Sequence, residues 1–187
     1  MYVTCLFKIQ NSYPIDSLIL DEFLCNKVHN KVLSEILYTR AVLGGTFDRL
    51  HEGHKYLLKV ATDISKTVFI GVISDKAGKE LFINKKFNHL IQPLSIRIKN
   101  LTDYMQSISS SFEISPIHDK WGPAPFDKIA DVIIVTKETI PNAEKINQMR
   151  IKNNLHQLDI HVITWIEENN EVISSTKLRE LDFKKLN

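Results

Sequence analysis

The segment Gly44-Gly45-Thr46-Phe47-Asp48-Arg49-Leu50-His51-Glu52-Gly53-His54-Lys55 gathers glycines, a hydroxyl, a carboxylate and two imidazoles in one short string. It follows the apolar run Ala41-Val42-Leu43 and opens a stretch with helical periodicity. Gly44 and Gly45 let the chain turn sharply and leave room beside a ligand. The helix N-terminus beyond them has unpaired N–H groups and a partial positive charge, which attract phosphate. His51 and His54 are three apart, so both can face one side, and imidazoles donate hydrogen bonds to phosphate oxygens. Gly53 removes a side chain where a base or ribose could approach. The spacing is not that of the Gly-x4-Gly-Lys-Ser/Thr loop, because Leu50 follows Gly45 five positions on. It is not the dinucleotide glycine fingerprint either. A zinc pair would have only Asp48 as a third ligand, with no cysteine near. Taken alone, the histidine pair reads more readily as a helix start with two ordinary surface imidazoles. The whole string, set between strand and helix, points to phosphate.

The surrounding pattern says what positions this string. Ala41–Gly45, Val68–Ile73, Phe112–Ile117, Val132–Val135 and His161–Trp165 read as strands. Glu52 to about Ser65, Leu94 to Ile108 after Pro93, Ala143 to about Gln157, and a last helix opened by Ser174-Ser175-Thr176 read as helices. Strands that are continuously apolar and alternate with helices predict a parallel sheet covered on both faces. The expected fold is therefore α/β, a Rossmann-like doubly wound parallel five-stranded sheet with helices on both faces. Such sheets bind ligands beyond the carboxyl ends of their strands, where the strand order reverses. Asp75 to Gln92 is Lys-rich and reads as a mobile loop. Residues 1–39 precede the sheet as an extension. Within it, Asp16 to Tyr38 reads as an amphipathic helix, and its role is open. Residues 40–187 form the expected main domain.

Composition narrows the function classes. With 24 Lys+Arg against 22 Asp+Glu, the net charge of +2 is too small to imply a nucleic-acid partner. The pairs Lys85-Lys86 and Lys184-Lys185 read as solvated surface. A hydrophobic share of 43% excludes a disordered chain. No apolar run approaches the roughly 18 residues of a membrane span, and Met1 to Phe7 lacks the basic lead of a secretory signal. Cys5 and Cys25 read as reduced thiols of a cytoplasmic protein without membrane attachment.

Gly-Thr-Phe-Asp followed by His-x-Gly-His resembles the signature of the nucleotidyltransferase superfamily with the HxGH motif. Ile173-Ser174-Ser175-Thr176-Lys177-Leu178-Arg179 resembles its second signature, at the start of a late helix. Within that superfamily the chain most resembles the phosphopantetheine adenylyltransferases of eukaryotes, the domain found in coenzyme A synthase. The likeness rests on Leu43 to His51, Gln92-Pro93-Leu94-Ser95-Ile96-Arg97, Trp121-Gly122-Pro123-Ala124, and Ile146-Asn147 with Arg150. It spans residues 40–182 and not 1–39.

The resemblance implies transfer of AMP from ATP to 4′-phosphopantetheine, with Mg²⁺, by direct in-line attack and without a covalent enzyme intermediate. Thr46 matches the threonine that holds the attacking phosphate, and His54 the histidine that stabilises charge on the α-phosphate. His51 should touch the phosphate chain, and Gly45, Phe47 and Gly53 should line the nucleotide. Ser174, Ser175 and Thr176 should present N–H and O–H groups to the β- and γ-phosphates. Arg179 either adds charge there or is a solvated helix residue. Lys76, with Lys79 as the alternative, is the expected substrate lysine. Arg97 is the expected phosphopantetheine arginine or a structural ion-pair partner. The bacterial Arg-Gly-x-Arg stretch is absent, with Thr136-Lys137-Glu138-Thr139 in its place, leaving Lys137 and Arg150 as candidates for the missing charge. A separate pathway kinase is an open partner. Two other readings compete: a CTP-dependent cytidylyltransferase, whose second motif fits Asn170-Glu171-Val172 less well, and a non-catalytic nucleotide-binding protein.

Overall fold

Apolar residues alternate between two buried faces along each central strand, and this alternation builds the molecule. The computed structural model describes residues 36–163, 167–168, 171–172 and 174–186. The elements run β1 (Tyr38–Gly45), α1 (Glu52–Ile64), β2 (Ser65–Ile73), α2 (Asp75–Leu81), α3 (Leu94–Ile108), β3 (Phe112–Ile117), β4 (Val132–Thr136), α4 (Ile140–Lys152), β5 (Asp159–Ile163), β6 (Glu167–Glu168), β7 (Glu171–Val172) and α5 (Ser175–Leu186). The first five strands in chain order form one parallel sheet with the order β3-β2-β1-β4-β5, and β6 pairs with β7 as a short antiparallel ribbon. The order reverses between β1 and β4, which opens a crevice at their carboxyl ends. The expected doubly wound α/β sheet is what forms.

Ala41, Leu43, Val68, Ile70, Val72, Val132 and Ile134 point to one face, where they pack with Leu58 and Ala61 of α1 and Leu101 and Met105 of α3. Val42, Phe69, Ile133 and Val135 point to the other, against Ala143 and Ile146 of α4 and Ala124 and Ala130 of the long β3–β4 connection. Two-sided burial is why these strands lack polar alternation.

Arg150 fastens that connection to α4. Its guanidinium is fully buried. Nε donates to the His156 carbonyl at 2.7 Å, Nη1 to those of Ala124 and Asp127 at 2.7 and 2.8 Å, and Nη2 to that of Ala130 at 3.2 Å. Asn147 pairs both ways with the Leu158 backbone, at 2.9 and 2.8 Å. Arg150 is therefore an internal clamp, not the charge that replaces the bacterial arginines.

Several elements depart from expectation. Asp75 to Gln92 is not simply a loop: α2 occupies its start and a 3-10 turn lies at Asn88–Leu90. Ser74 Oγ caps α2 by accepting the Ala77 N–H at 3.3 Å. Gly78 is required inside α2 because a Cβ there would lie 2.3 Å from the Phe82 ring. α4 begins at Ile140 rather than Ala143, with Pro141 in its first turn. It ends at Lys152 rather than near Gln157, where Asn154 turns left-handed at φ 56°. β5 starts at Asp159, ahead of the expected His161, and residues 164–166 lie outside the described residues. Ile36 and Leu37 are not helical and Tyr38 already belongs to β1, so the strand takes Tyr38 and Thr39 from the expected extension. The rest of the expected amphipathic helix, with Cys5 and Cys25, lies outside the described residues.

Replacing Arg150 with Met keeps side-chain volume but strands buried carbonyls. Arg150→Met should cost about 3 kcal/mol, in the range for breaking a buried charged hydrogen-bond network, read as a lowered urea midpoint. A midpoint equal to that of the parent protein would show that the clamp contributes nothing.

Candidate active site

A cleft of about 680 Å³ opens between the carboxyl ends of β1 and β4. Both signature segments line it, with Gly45, Thr46, Phe47, His51 and His54 from one and Ser174, Ser175, Thr176 and Arg179 from the other.

The chain leaves β1 through a turn in which Phe47 and Arg49 both adopt left-handed backbone, each at φ 50°. Outside glycine that conformation costs roughly 1–2 kcal/mol per residue. The bend is therefore not made by Gly44 and Gly45, which finish β1 as strand. Gly45 instead admits the Phe47 ring, since a Cβ would stand 3.2 Å from it. What holds the turn is Asp48, whose side chain is fully buried. Oδ1 accepts the Gln92 N–H at 3.0 Å, Arg49 Nη1 spans both carboxylate oxygens at 3.0 Å, and Arg179 Nη1 reaches Oδ2 at 2.7 Å. Ser175 Oγ donates to the Asp48 carbonyl at 2.7 Å, and Arg49 Nε donates to Asp182 of α5 at 2.8 Å. The two sequence-distant motifs thus meet at one residue.

The histidine rings stack at 3.9 Å, and Phe47 packs against His54 with centroids 5.3 Å apart. Nδ1 of each histidine is buried without a hydrogen-bond partner. His51, at the N-cap of α1, makes no capping bond from its side chain. Buried polar atoms are normally paired, so these orphaned groups at a helix N-terminus mark a place for an anion. Burial, with the neighbouring His51 and Lys85, pushes the pKa of His54 down to about 3. Burial also lowers that of His51, partly opposed by Glu52 and Asp48. Both imidazoles are neutral near pH 7.

Lys85 shares the cleft with them, and the sequence reading missed it. Its ammonium donates to Thr46 Oγ1 at 2.7 Å and borders the cleft. Burial and then the charge of Arg179 lower its pKa, with Asp48 opposing and Arg97 adding. Lys76 and Lys79, the expected lysines, are exposed and do not line the cleft, and Lys79 borders a separate hollow with Phe82 and His89. Lys85 read as surface because its neighbours in sequence are polar. The one available signal was its place in the connection after β2, at the ligand-binding edge of the sheet.

Of the two roles open to Arg97, the structure supports one. It is fully buried and does not line the cleft. Nη1 donates to the carbonyls of Thr46 and Ile73 at 2.8 Å each, Nε to that of Gln92 at 2.8 Å, and Nη2 to Asp75 at 2.7 Å. Arg97 supports Thr46 from behind, in the structural role left open for it. Ser174 caps α5 through the Lys177 N–H at 3.3 Å, and Thr176 Oγ1 accepts from Arg179 Nη2 at 2.9 Å. The Ser175 hydroxyl therefore spends its proton on the protein, whereas Ser174 Oγ only accepts and keeps its own to donate; all three residues line the cleft. Arg179 is only 1% exposed and is held by Asp48, Thr176 and the Lys86 carbonyl, so its first task is structural. Gly53 is buried in the first turn of α1 and does not line the cleft. Lys137 is exposed and does not line the cleft, although Thr136, Glu138 and Thr139 beside it do. Among the described residues no group of His, Cys, Asp or Glu is arranged to hold a metal ion, and no helix is long and apolar enough to cross a membrane.

Comparison with known proteins places the chain in a family. Residues 42–181 match the family model described as cytidylyltransferase-like. A phosphopantetheine adenylyltransferase of Pyrobaculum aerophilum is 35% identical over 147 residues, covering 77% of this chain and 92% of its own length. One from Saccharomyces cerevisiae is 32% identical over 169 residues, covering 82% of this chain and 54% of the yeast protein. A crystal structure of a protein of unknown function from Archaeoglobus fulgidus superposes with a TM-score of 0.60 at 29% identity, covering 72% of this chain and 96% of that one.

Two outcomes follow from the geometry. Asp48→Asn removes the charge that two guanidiniums share, and should cost about 3 kcal/mol in urea unfolding while weakening ATP binding. Full stability and affinity would remove Asp48 from its central place. His54 takes up its proton in the unfolded chain near pH 6.5 but in the folded one only near 3. Folding stability should therefore fall with acid across that window, and His54→Gln should flatten the fall. Identical stability–pH curves for the two proteins would contradict the buried neutral imidazole.

Proposed function

Because the chain belongs to the phosphopantetheine adenylyltransferase family of cytidylyltransferase-like nucleotidyltransferases, we propose that its cleft transfers the adenylyl group of ATP to 4′-phosphopantetheine, giving dephospho-coenzyme A and pyrophosphate. The observation that carries this reading is one cleft lined both by two histidines with unpartnered imidazole nitrogens and by an ammonium already set on the Thr46 hydroxyl. An oxygen of the acceptor phosphate attacks the α-phosphorus as the bond to the β-phosphate oxygen breaks. The nucleophile is already an anion, so positioning and charge neutralisation supply most of the catalysis. Lys85 and Thr46 hold the attacking phosphate. His54 donates to the α-phosphate as its charge builds, and His51 and the N-termini of α1 and α5 hold the rest of the triphosphate. Mg²⁺ would accompany ATP as its counter-ion and supply charge neutralisation on the phosphates; among the described residues Glu138 is the carboxylate that borders the cleft, while Asp48 does not line it and is committed to arginines.

The eukaryotic form, of the kind found in coenzyme A synthase, is supported by the yeast relative and by Thr136-Lys137-Glu138-Thr139 in place of the bacterial arginines. A cytoplasmic setting and a separate kinase supplying or consuming the phosphorylated substrates belong to the same reading. Cytidylyl transfer is the second reading, supported by the name of the matched family.

Pyrophosphate release from Mg-ATP should require phosphopantetheine and be absent with phosphocholine or nicotinamide mononucleotide. Faster release from CTP and phosphocholine would establish the second reading. His54→Ala should lower turnover by at least about 100-fold, the scale for a lost transition-state donor. Lys85→Met should do likewise while Lys76→Met leaves turnover unchanged, and the reverse ranking would return the role to Lys76.

A further inference from the structure

Lys85 sits on the Thr46 hydroxyl, yet no regular element carries it there. It lies in an irregular strap, residues 82–87, between α2 and the 3-10 turn. Inside the strap the anchors are local: the Lys85 N–H meets the Phe82 carbonyl at 2.8 Å, and Asn88 Nδ2 reaches that carbonyl at 3.4 Å. The strap is fixed from outside by α5. Arg179 Nε donates to the Lys86 carbonyl at 3.1 Å. The Phe183 ring lies 5.2 Å from that of Phe87 and meets His89 edge-on at 6.3 Å. Phe87 itself is left-handed at φ 55°, a conformation that needs support from its surroundings. Thr176, Arg179 and Phe183 are spaced by three and four residues, so one face of α5 meets first the cleft and then the strap.

We propose that Phe183 is a positioning residue for catalysis: its ring clasps Phe87 and so holds the Lys85 ammonium on Thr46, where the acceptor phosphate arrives. The inference rests on the adenylyl-transfer reading and extends it to a residue that touches no substrate. It also makes α5 serve both substrates, with its N-terminus at the nucleotide phosphates and its later turns behind the acceptor lysine.

The test is a double-mutant cycle on the whole protein, read by pyrophosphate release at saturating substrates. Phe183→Ala should lower kcat roughly tenfold, since a small misplacement of a catalytic group is costly, with little change in the KM for ATP. Phe183→Tyr, which keeps the ring, should restore turnover. Leu181→Ala, at an exposed position on the same helix, should have no effect. In a Lys85→Met background, Phe183→Ala should add less than about a twofold loss, because the group it positions is gone. The same tenfold loss in both backgrounds, or parental turnover for Phe183→Ala, overturns the clasp. Full turnover of Lys85→Met overturns it together with the role of Lys85, whereas adenylyl transfer itself is judged separately by the acceptor requirement of the unaltered protein. Should Phe183→Ala lose its cooperative thermal transition, Phe183→Leu carries the same cycle.

Discussion

A buried carboxylate with two guanidiniums is the constraint on which the site depends. Desolvating Asp48 is expensive, and the cost is offset only because Arg49, Arg179 and the Gln92 amide meet its oxygens together. These partners come from the turn after β1, from the segment before α3 and from α5. None of them can move alone without leaving a charge unpaired away from water. That mutual dependence holds Phe47 and Arg49 in left-handed backbone and aims the first turn of α1 at the cleft. Arg97 does the same from below, tying the Thr46 carbonyl to the end of β2. The phosphate site is thus set by buried ionic contacts behind it, before any ligand arrives.

The cleft sets neutral donors beside a charged one. Two stacked imidazoles are held neutral by burial, and neutral rings donate without repelling each other. The Lys85 ammonium near them is disfavoured by burial and by the charges of Arg179 and Arg97. The unliganded protein tolerates unpaired imidazole nitrogens and crowded positive charge, which together favour an incoming polyanion. Sites of this kind are commonly less stable than the scaffold that carries them.

How much of this could be read from residues alone depends on how local each cause is. The sheet strands were legible because burial on both faces writes itself as runs without polar residues, such as Val68 to Ile73 and Val132 to Val135. α3 was legible from Ile98, Leu101 and Met105 at helical spacing after Pro93. α2 was not, because seven residues with an internal glycine and two lysines look like a loop. Gly78 makes sense only once the Phe82 ring is seen lying over it. In the site, the His-x-Gly-His and Ser-Ser-Thr spacings were legible because a helix start imposes them locally. The lysine was not, since its position comes from contacts between the strap and α5, about a hundred residues further along the chain. Arg97 and Arg150 stayed open between two roles for a different reason: an arginine bound to backbone carbonyls leaves the same trace in a helix as one that faces water.

α5 follows every strand of the main sheet in the chain. A chain whose sheet has formed before α5 docks therefore lacks Arg179 at Asp48, and the Ser175 bond to the Asp48 carbonyl is missing as well. Such a chain has its fold but only half a counter-ion for its central carboxylate, and a loose turn where phosphate should dock. Nucleotide capture thus waits on the docking of one helix, and undocking it would release the phosphates without unmaking the sheet.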